Sequence, residues 1–514
     1  MDNFLKYFSQ DIGNIFHAFL NIFKSVFDFF LSIFDIGSRM EAIERNGAEF
    51  NGLEWVLFII SNLVLLAVIV LLIILAVKYG KKLFRFRVPI KKLDEAEKKI
   101  KELQRELIKS NYEKDRILSM QLGGSGAIQP EEEEKTALVN ANRNTVDSPC
   151  VDPSASRFFR LTTVDNYYKE VYVCPEYDNE ITLDEFCEKF RAFAASKLHL
   201  YYDLKLIRHF VATLGAVRII ILQGISGTGK TSLPYAFGKF VNNDSTVVSV
   251  QPAWRERTEL YGYFNEFTSK YTETEFLRAI YEANYIKDPG IVILDEMNIA
   301  RVEYYFAEML SILEMPIESE WKVSVTSAMW DNDPCLINDG KVLIPNNVWF
   351  VGTINNDDST FAVADKVYDR AIPIDLDSRA EPFVAKDTDS IRVSTDRLRA
   401  LFDDAKEKHP LSEEIIEKLE EVNKYLVKNF RLAFGNRIMK QLKDYVPCYV
   451  ACGGTELEAV DFMIAKKVLR KFESLSLDFM KDELNSFSLY LERTFGKDSM
   501  PACKEYIDYL KRMG

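Results

Sequence analysis

The chain has 514 residues, 47% of them hydrophobic and 28% charged, with a formal net charge of −13. This make-up suits a globular chain of about two to four parts and excludes wholesale disorder, a collagen-like repeat and a small disulfide scaffold. The acidic balance argues against a protein built mainly to hold nucleic-acid phosphates and leaves room only for a local basic groove. Seven cysteines cannot all pair, no C-x-x-C occurs and the four histidines lie far apart. A structural zinc site and an oxidising compartment for the main body are therefore disfavoured.

Within residues 1–40, Phe4, Phe8, Ile12, Ile15, Phe16, Phe19, Phe23, Phe27, Phe30 and Phe34 recur at three- and four-residue steps. That spacing sets aromatic rings on one helical face, while Lys6, Gln10, Asn14, Lys24 and Asp28 fall mostly on others. The pattern predicts an amphipathic helix lying in the plane of a bilayer, on its non-cytoplasmic side. Two other readings stay open: a second span over residues 15–34, which Lys24 and Asp28 disfavour, and a helix packed on its own copies.

Residues 55–77, Trp55–Val77, contain no charge and only Ser61 and Asn62 as polar members. At a rise of ~1.5 Å per residue the run crosses a ~30 Å hydrocarbon core as a transmembrane helix. Trp55 and Tyr79 stand at the interfacial positions. Lys78, Lys81, Lys82, Arg85, Arg87, Lys91 and Lys92 follow before any acid, which places everything beyond residue 78 on the cytoplasmic side. In the basic juxtamembrane segment of residues 78–120, Leu93, Ala96, Ile100, Leu103 and Leu107 keep an a/d heptad. They predict a short coiled coil, with a solvated single helix as the alternative. Residues 121–156, rich in Gly, Glu and Ser, read as a flexible linker.

The chemistry lies in residues 157–394. Val217–Leu222 is a β-branched strand signal leading into Gly224-Ile-Ser226-Gly227-Thr228-Gly229-Lys230-Thr231, followed by Ser232 and a helix-forming stretch. This is G-x-x-x-x-G-K-T in a strand–loop–helix context. Its glycines let backbone N–H groups wrap phosphates at the positive end of a helix. Lys230 suits the β/γ-phosphates, and the Thr231 hydroxyl suits Mg²⁺. The candidate nucleotide-binding residues are thus Gly224, Ser226, Gly227, Thr228, Gly229, Lys230, Thr231 and Ser232. Further on, Ile291–Leu294 is a continuous apolar run, as a buried parallel strand requires, and it ends in Asp295-Glu296. Asp295 fits the Mg²⁺ shell beside Thr231, and Glu296 fits the orientation or deprotonation of an attacking water.

Residues 295–314, DEMNIARVEYYFAEMLSILE, resemble the AAA+ ATPases of the McrB-like, dynein-related group, the motor family of modification-dependent restriction systems. Val248–Phe264, with its tryptophan, resembles the group's segment after the second strand. Ile344–Ala371 resembles its sensor-one strand and the helix bearing its arginine finger, and the whole resemblance covers approximately residues 195–475. It implies a sensor-one role for Asn355 in GTIN, toward the γ-phosphate or the water. It implies that Arg370 in VYDRA is an arginine finger supplied to a neighbouring subunit. It implies that Arg437 in FGNRIMKQ is a sensor-two residue on a helical lid over residues 395–514. Asp358 and Thr360 fall within the sensor-one motif with their roles open.

The resemblance further implies ATP with Mg²⁺ and self-assembly into a ring, a hexamer by analogy. GTP stays open, since no Asn-Lys-x-Asp motif specifies guanine and some relatives use GTP without it. The family's restriction members carry a nucleic-acid-reading domain ahead of the ATPase, whereas here an anchor, stalk and linker occupy that place. No nuclease or protease constellation occurs. Residues 317–343 are expected either as a hairpin facing a central pore or as a peripheral loop.

The expected architecture is an α/β P-loop AAA+ module, a parallel sheet between helices, with a C-terminal helical lid. An N-terminal amphipathic helix, one transmembrane helix and a short coiled coil precede it. The expected activity is Mg-dependent ATP hydrolysis that remodels or translocates a macromolecule at the cytoplasmic face of a lipid bilayer, by family analogy in phage defence. Two alternatives stand beside it: a nucleotide-switched scaffold recruiting a separately encoded effector, and a nucleic-acid motor for a separately encoded nuclease subunit. Neither the macromolecular substrate nor the partner is legible in the sequence.

Overall fold

The computed structural model describes residues 51–122 and 152–513, apart from 179, 356–359, 378–379 and 476–479, together with scattered positions between 21 and 47. Nearly all of the Phe-rich segment, most of the linker and Asp358 lie outside the described residues. The chain divides into two units, Met1–Glu97 and Lys98–Gly514.

The first unit holds the start of helix α1 (Gly52–Leu122). Among the described residues, its stretch Gly52–Leu75 is long and apolar enough to cross a membrane. Leu63, Leu66, Leu71 and Ile74 stand exposed there. Two polar side chains of the stretch, Ser61 and Asn62, bond back onto the helix itself. Ser61 Oγ and Asn62 Nδ2 each donate to Phe58 O at 2.9 Å.

The end of α1 belongs to the second unit and is not a free stalk. Tyr112 is buried and stacks on Tyr167 with ring centroids 3.8 Å apart, while its hydroxyl bonds Glu282. Asp115 lies 3.3 Å from Arg160 and 3.5 Å from Arg278, and Arg116 lies 2.8 Å from Asp244. Leu103 and Leu107 of the predicted heptad are exposed on this single chain. The end of the predicted linker also folds: Lys270 Nζ donates to the carbonyls of Ser154 (2.6 Å) and Ser156 (2.8 Å).

Helices α2 (Phe159–Glu170), α3 (Leu183–Leu198) and α4 (Leu204–Ala216) precede a five-stranded sheet. Its strands are β1 (Ile219–Gly224), β2 (Thr246–Ser249), β3 (Gly290–Asp295), β4 (Val348–Asn355) and β5 (Ala371–Asp375). The order across the sheet is β2-β3-β4-β1-β5, and every pairing is parallel. Helices α5 (Ser232–Phe240) and α6 (Glu275–Ala283) are among the crossover segments. Strands covered on both faces read as apolar runs, which is why VRIIIL and GIVILD carried so clear a signal.

Successive residues along each strand serve opposite cores. Ile220, Leu222, Ile293, Val351 and Ile372 pack with α3, α4, α5 and the C-terminal helices, whereas Ile221, Val292, Leu294 and Phe350 pack with α2 and α6. Register fixes what stands at the carboxyl edge: Gly224 lies opposite Asn355, and Ser249 opposite Asp295. Residues 317–343 include a two-stranded antiparallel ribbon, Lys322–Ser324 against Lys341–Leu343.

The C-terminal helices are α7 (Thr395–Lys408), α8 (Glu413–Phe430), α9 (Asn436–Ala451), α10 (Glu456–Met463), α11 (Lys481–Phe495) and α12 (Pro501–Met513). Ser394, Ser412 and Thr455 cap α7, α8 and α10 by accepting from backbone N–H groups of the first turn. A π-helical turn, Ile464–Val468, follows α10. These helices share one hydrophobic core with α3, α4 and a face of the sheet. Contact is so close that a Cβ on Gly215 of α4 would lie 2.7 Å from Cys448 Sγ and 2.8 Å from Phe402.

Candidate active site

Ligands of open parallel sheets bind beyond the carboxyl ends of the strands, where the strand order reverses. Here that point lies at β1, which pairs β4 on one side and β5 on the other. A cleft of about 330 Å³ opens there, lined by the loop Ser226–Ser232, by Asp295, Glu296, Thr353 and Asn355, and by the segment His199–Tyr202.

The loop takes its shape from glycine. Gly227 and Gly229 have φ of 81° and 95°, a region in which a side chain is strained. Gly224, at φ 138°, has no room for a Cβ, which would lie 2.5 Å from Leu376 O. Lys230 is buried and its Nζ donates to Gly224 O (2.9 Å) and Ile225 O (2.7 Å). Ser232 starts α5, so the amino end of that helix faces the cleft.

Across the cleft, Thr231 Oγ1 donates to Asp295 Oδ1 at 2.7 Å. The same oxygen accepts from Thr353 Oγ1 at 2.9 Å, and Thr353 Oγ1 accepts from Glu296 N at 2.8 Å. Thr353 thus orders both acids, and sequence reading passed over it. The available signal was its alternation with Asn355 along β4, which puts both on one face. Glu296 sits at φ 52°, in the left-handed region, which turns its chain sharply after the strand. Asn355 Nδ2 approaches Glu296 Oε1 at 3.4 Å, and Asn355 is held through its backbone N–H and carbonyl by Asn298.

A hydroxyl and a carboxylate oxygen in contact are hard donors of the kind Mg²⁺ takes in company with phosphate oxygens. Thr231 and Asp295 therefore fit the metal that the phosphate loop implies. Among the described residues no group of three His, Cys, Asp or Glu side chains is placed to hold a metal. The segment His199–Tyr202 is a second feature missed in the sequence, since it closes the cleft from beyond the end of α3. Burial pushes the Tyr202 phenol well up, so it stays neutral, and it donates to Gly229 O at 3.5 Å.

Arg370 and Arg437 lie elsewhere. Both line a different cleft, of about 680 Å³, with Arg218, Ile219 and Trp349 at the amino ends of β1 and β4. Arg370 Nη2 is 2.6 Å from Glu314, and Arg437 Nη2 is 2.6 Å from the other oxygen of the same carboxylate. Among the described residues, none that lines the phosphate-loop cleft comes from residues 395–514. Arg437, expected as a sensor-two residue on the helical lid, thus lines this second cleft and not the phosphate-loop cleft of the same chain. The reason is packing: α9 lies against α4, which carries the amino end of α9 toward the amino edge of the sheet.

A family model described as "Domain of unknown function (DUF8727)" matches residues 391–514. No curated protein matches the chain. Among solved structures, the chain is similar to a candidate ATPase from Cytophaga hutchinsonii, at 13% identity and a TM-score of 0.38, over 53% of this chain and 80% of that one. It is also similar to a full-length MCM homologue from Methanopyrus kandleri, at 13% identity and a TM-score of 0.32, over 57% of this chain and 62% of that one.

Proposed function

We propose that the protein is a membrane-anchored, Mg²⁺-dependent ATPase of the AAA+ class, with motifs that resemble those of the McrB-like group. The observation that carries the reading is the 2.7 Å contact of Thr231 with Asp295, with Glu296 and Asn355 at the same edge of the sheet. Bound Mg²⁺ would neutralise charge on the β- and γ-phosphates. Lys230 binds those phosphates, and the loop's backbone N–H groups hold them in place. Glu296 orients and deprotonates the attacking water. The Asn355 amide fixes Glu296 on one side and faces the γ-phosphoryl on the other. Tyr202 narrows the cleft at Gly229.

In this reading Arg370 completes the site of a neighbouring copy, and Arg437 serves with it in trans. The phosphate loop lies at the carboxyl edge of the sheet and the two arginines at the opposite edge. A head-to-tail contact pairs unlike patches of this kind, and a closed rotation makes a ring, hexameric by analogy. The apolar stretch of α1 anchors the ring, with the ATPase in the cytosol and the Phe-rich segment on the far surface of the bilayer. Turnover would drive remodelling or translocation of a macromolecule at the membrane, with phage defence as the setting by family analogy.

The test is the Glu296→Gln protein, which should bind ATP, lose turnover and accumulate as a nucleotide-loaded oligomer from which partners are recovered. Turnover at the wild-type rate would refute the site. Assembly driven by ATP binding, with turnover too slow to power movement, would favour the scaffold alternative, and stimulation by DNA or RNA would favour the nucleic-acid motor.

A further inference from the structure

In the cleft at the amino ends of β1 and β4, two glutamates each bridge two arginines. Glu318 holds the two Nη atoms of Arg399 at 3.0 and 2.8 Å and lies 3.6 Å from Arg218. Glu314 takes Arg370 on one oxygen and Arg437 on the other.

The surroundings of the Glu314 bridge set it apart. Arg370 Nε donates to Leu310 O at 3.2 Å and its Nη1 to Lys366 O at 2.8 Å. With the ion pair to Glu314, each of the three guanidinium nitrogens has a partner inside the subunit. The backbone around Arg370 is also gripped, since Lys467 Nζ donates to the carbonyls of Tyr368, Asp369 and Ala371. Arg437 is held less, with Asp369 3.9 Å away and its side chain 46% exposed. Two guanidinium ions this close repel each other unless a negative charge lies between them. Glu314 supplies that charge, and its two oxygens set the spacing of the pair. A fork of two guanidinium groups is suited to phosphate oxygens.

We infer that Glu314 is a positioning residue for turnover: it gathers Arg370 and Arg437 into one receptor for the triphosphate held by a neighbouring copy. The inference rests on the trans role of Arg370 proposed above. Glu314 ends the segment that begins with Asp295 and Glu296, so one stretch of chain carries the acids of a subunit's own site and the residue that presents its arginines to the next.

The test compares Glu314→Gln with Glu318→Gln in the full chain, purified in detergent. Each substitution removes one charge from an arginine–carboxylate–arginine bridge in the same cleft. Glu314→Gln should lower kcat by up to about 10²-fold, the scale of a misplaced catalytic group, with KM and Tm near wild type. Glu318→Gln should retain kcat. Mixed with Lys230→Ala protein, Glu314→Gln should regain turnover, because an intact phosphate loop then meets an intact arginine pair. Should Glu314→Gln prove unstable, Glu314→Asp, which keeps the charge and withdraws it by one methylene, is read in the same way.

Wild-type or raised turnover for Glu314→Gln overturns the inference. So does equal loss in both variants with parallel falls in Tm, which would make Glu314 a staple. The ring reading is tested separately by Arg370→Ala mixed with Lys230→Ala. Recovery there with no effect of Glu314→Gln removes Glu314 alone, whereas no recovery in demonstrably mixed oligomers removes the trans role and the inference together.

Discussion

At the scale of residues, the proposed function divides labour in the site between groups that hold phosphate and groups that act on water. Lys230→Ala removes the buried ammonium of the loop and should weaken nucleotide binding, seen in a direct titration with ATP. Glu296→Gln should leave that titration unchanged and lower turnover by about 10²–10⁴-fold, the usual share of a general base. A variant that lost binding and turnover in equal measure would show Glu296 to be part of the cradle. Thr353→Val is the sharper test of the structure, because Thr353 Oγ1 touches both acids. Its loss should raise the Mg²⁺ concentration needed for half-maximal turnover by about 10–100-fold, as loss of a supporting ligand contact does. Metal-free nucleotide binding should not change. An unaltered Mg²⁺ dependence would show that the hydroxyl does not order Asp295.

At the scale of elements, the π-helical turn Ile464–Val468 ties the C-terminal helices to the strand that follows Arg370. Lys466 pairs with Asp375 at one end of β5, and Lys467 spans the carbonyls of residues 368, 369 and 371 at the other. Burial pushes the Lys467 ammonium down to about 7 from its ordinary 10.5. Below pH 7 the lysine is charged in both folded and unfolded chains. Between about 7 and 10.5 the folded chain binds fewer protons than the unfolded one, so this group makes stability rise with pH, by up to about 1.4 kcal/mol per unit. Lys467→Met removes that slope and leaves three carbonyls short of a donor. The difference in Tm between wild type and variant should therefore widen as pH is raised from 7 to 9. A constant difference would mean that Lys467 keeps its proton in the fold.

At the scale of the whole molecule, the exposed apolar side chains of Gly52–Leu75 need a covering, and the basic run after them sets the expected orientation. Single cysteines at Asn51 and at Ser110, in a chain freed of its native cysteines, test this in intact cells with an impermeant thiol reagent. Labelling at position 51 alone is expected. Labelling at 110 from outside would invert the topology and place the phosphate-loop cleft away from cytosolic nucleotide. Labelling at neither until the cells are opened would leave the single-span arrangement without support.

The phosphate loop, the Asp295-Glu296 strand end and the apolar stretch of α1 were legible in the sequence because each depends on local chemistry. A turn that needs φ above zero needs glycine, a strand covered on both faces needs unbroken apolar residues, and a bilayer of fixed thickness needs a run of fixed length. Asn355 was legible through motif resemblance and as the polar amide that ends the apolar run Trp349–Ile354, and Thr353 only in retrospect, since a threonine in a strand is ordinary until register sets it beside two acids. Tertiary structure alone decided the rest. It set the sheet order, which brings the ends of β1, β3 and β4 together, and it docked Tyr112 and Arg116 of α1 on the folded body. It also placed Arg370 and Arg437, 67 positions apart by subtraction of their numbers, on the two oxygens of Glu314. No sequence period links those three residues. Their meeting follows from α9 packing against α4, an outcome of volume and burial summed over the whole core rather than of any local preference.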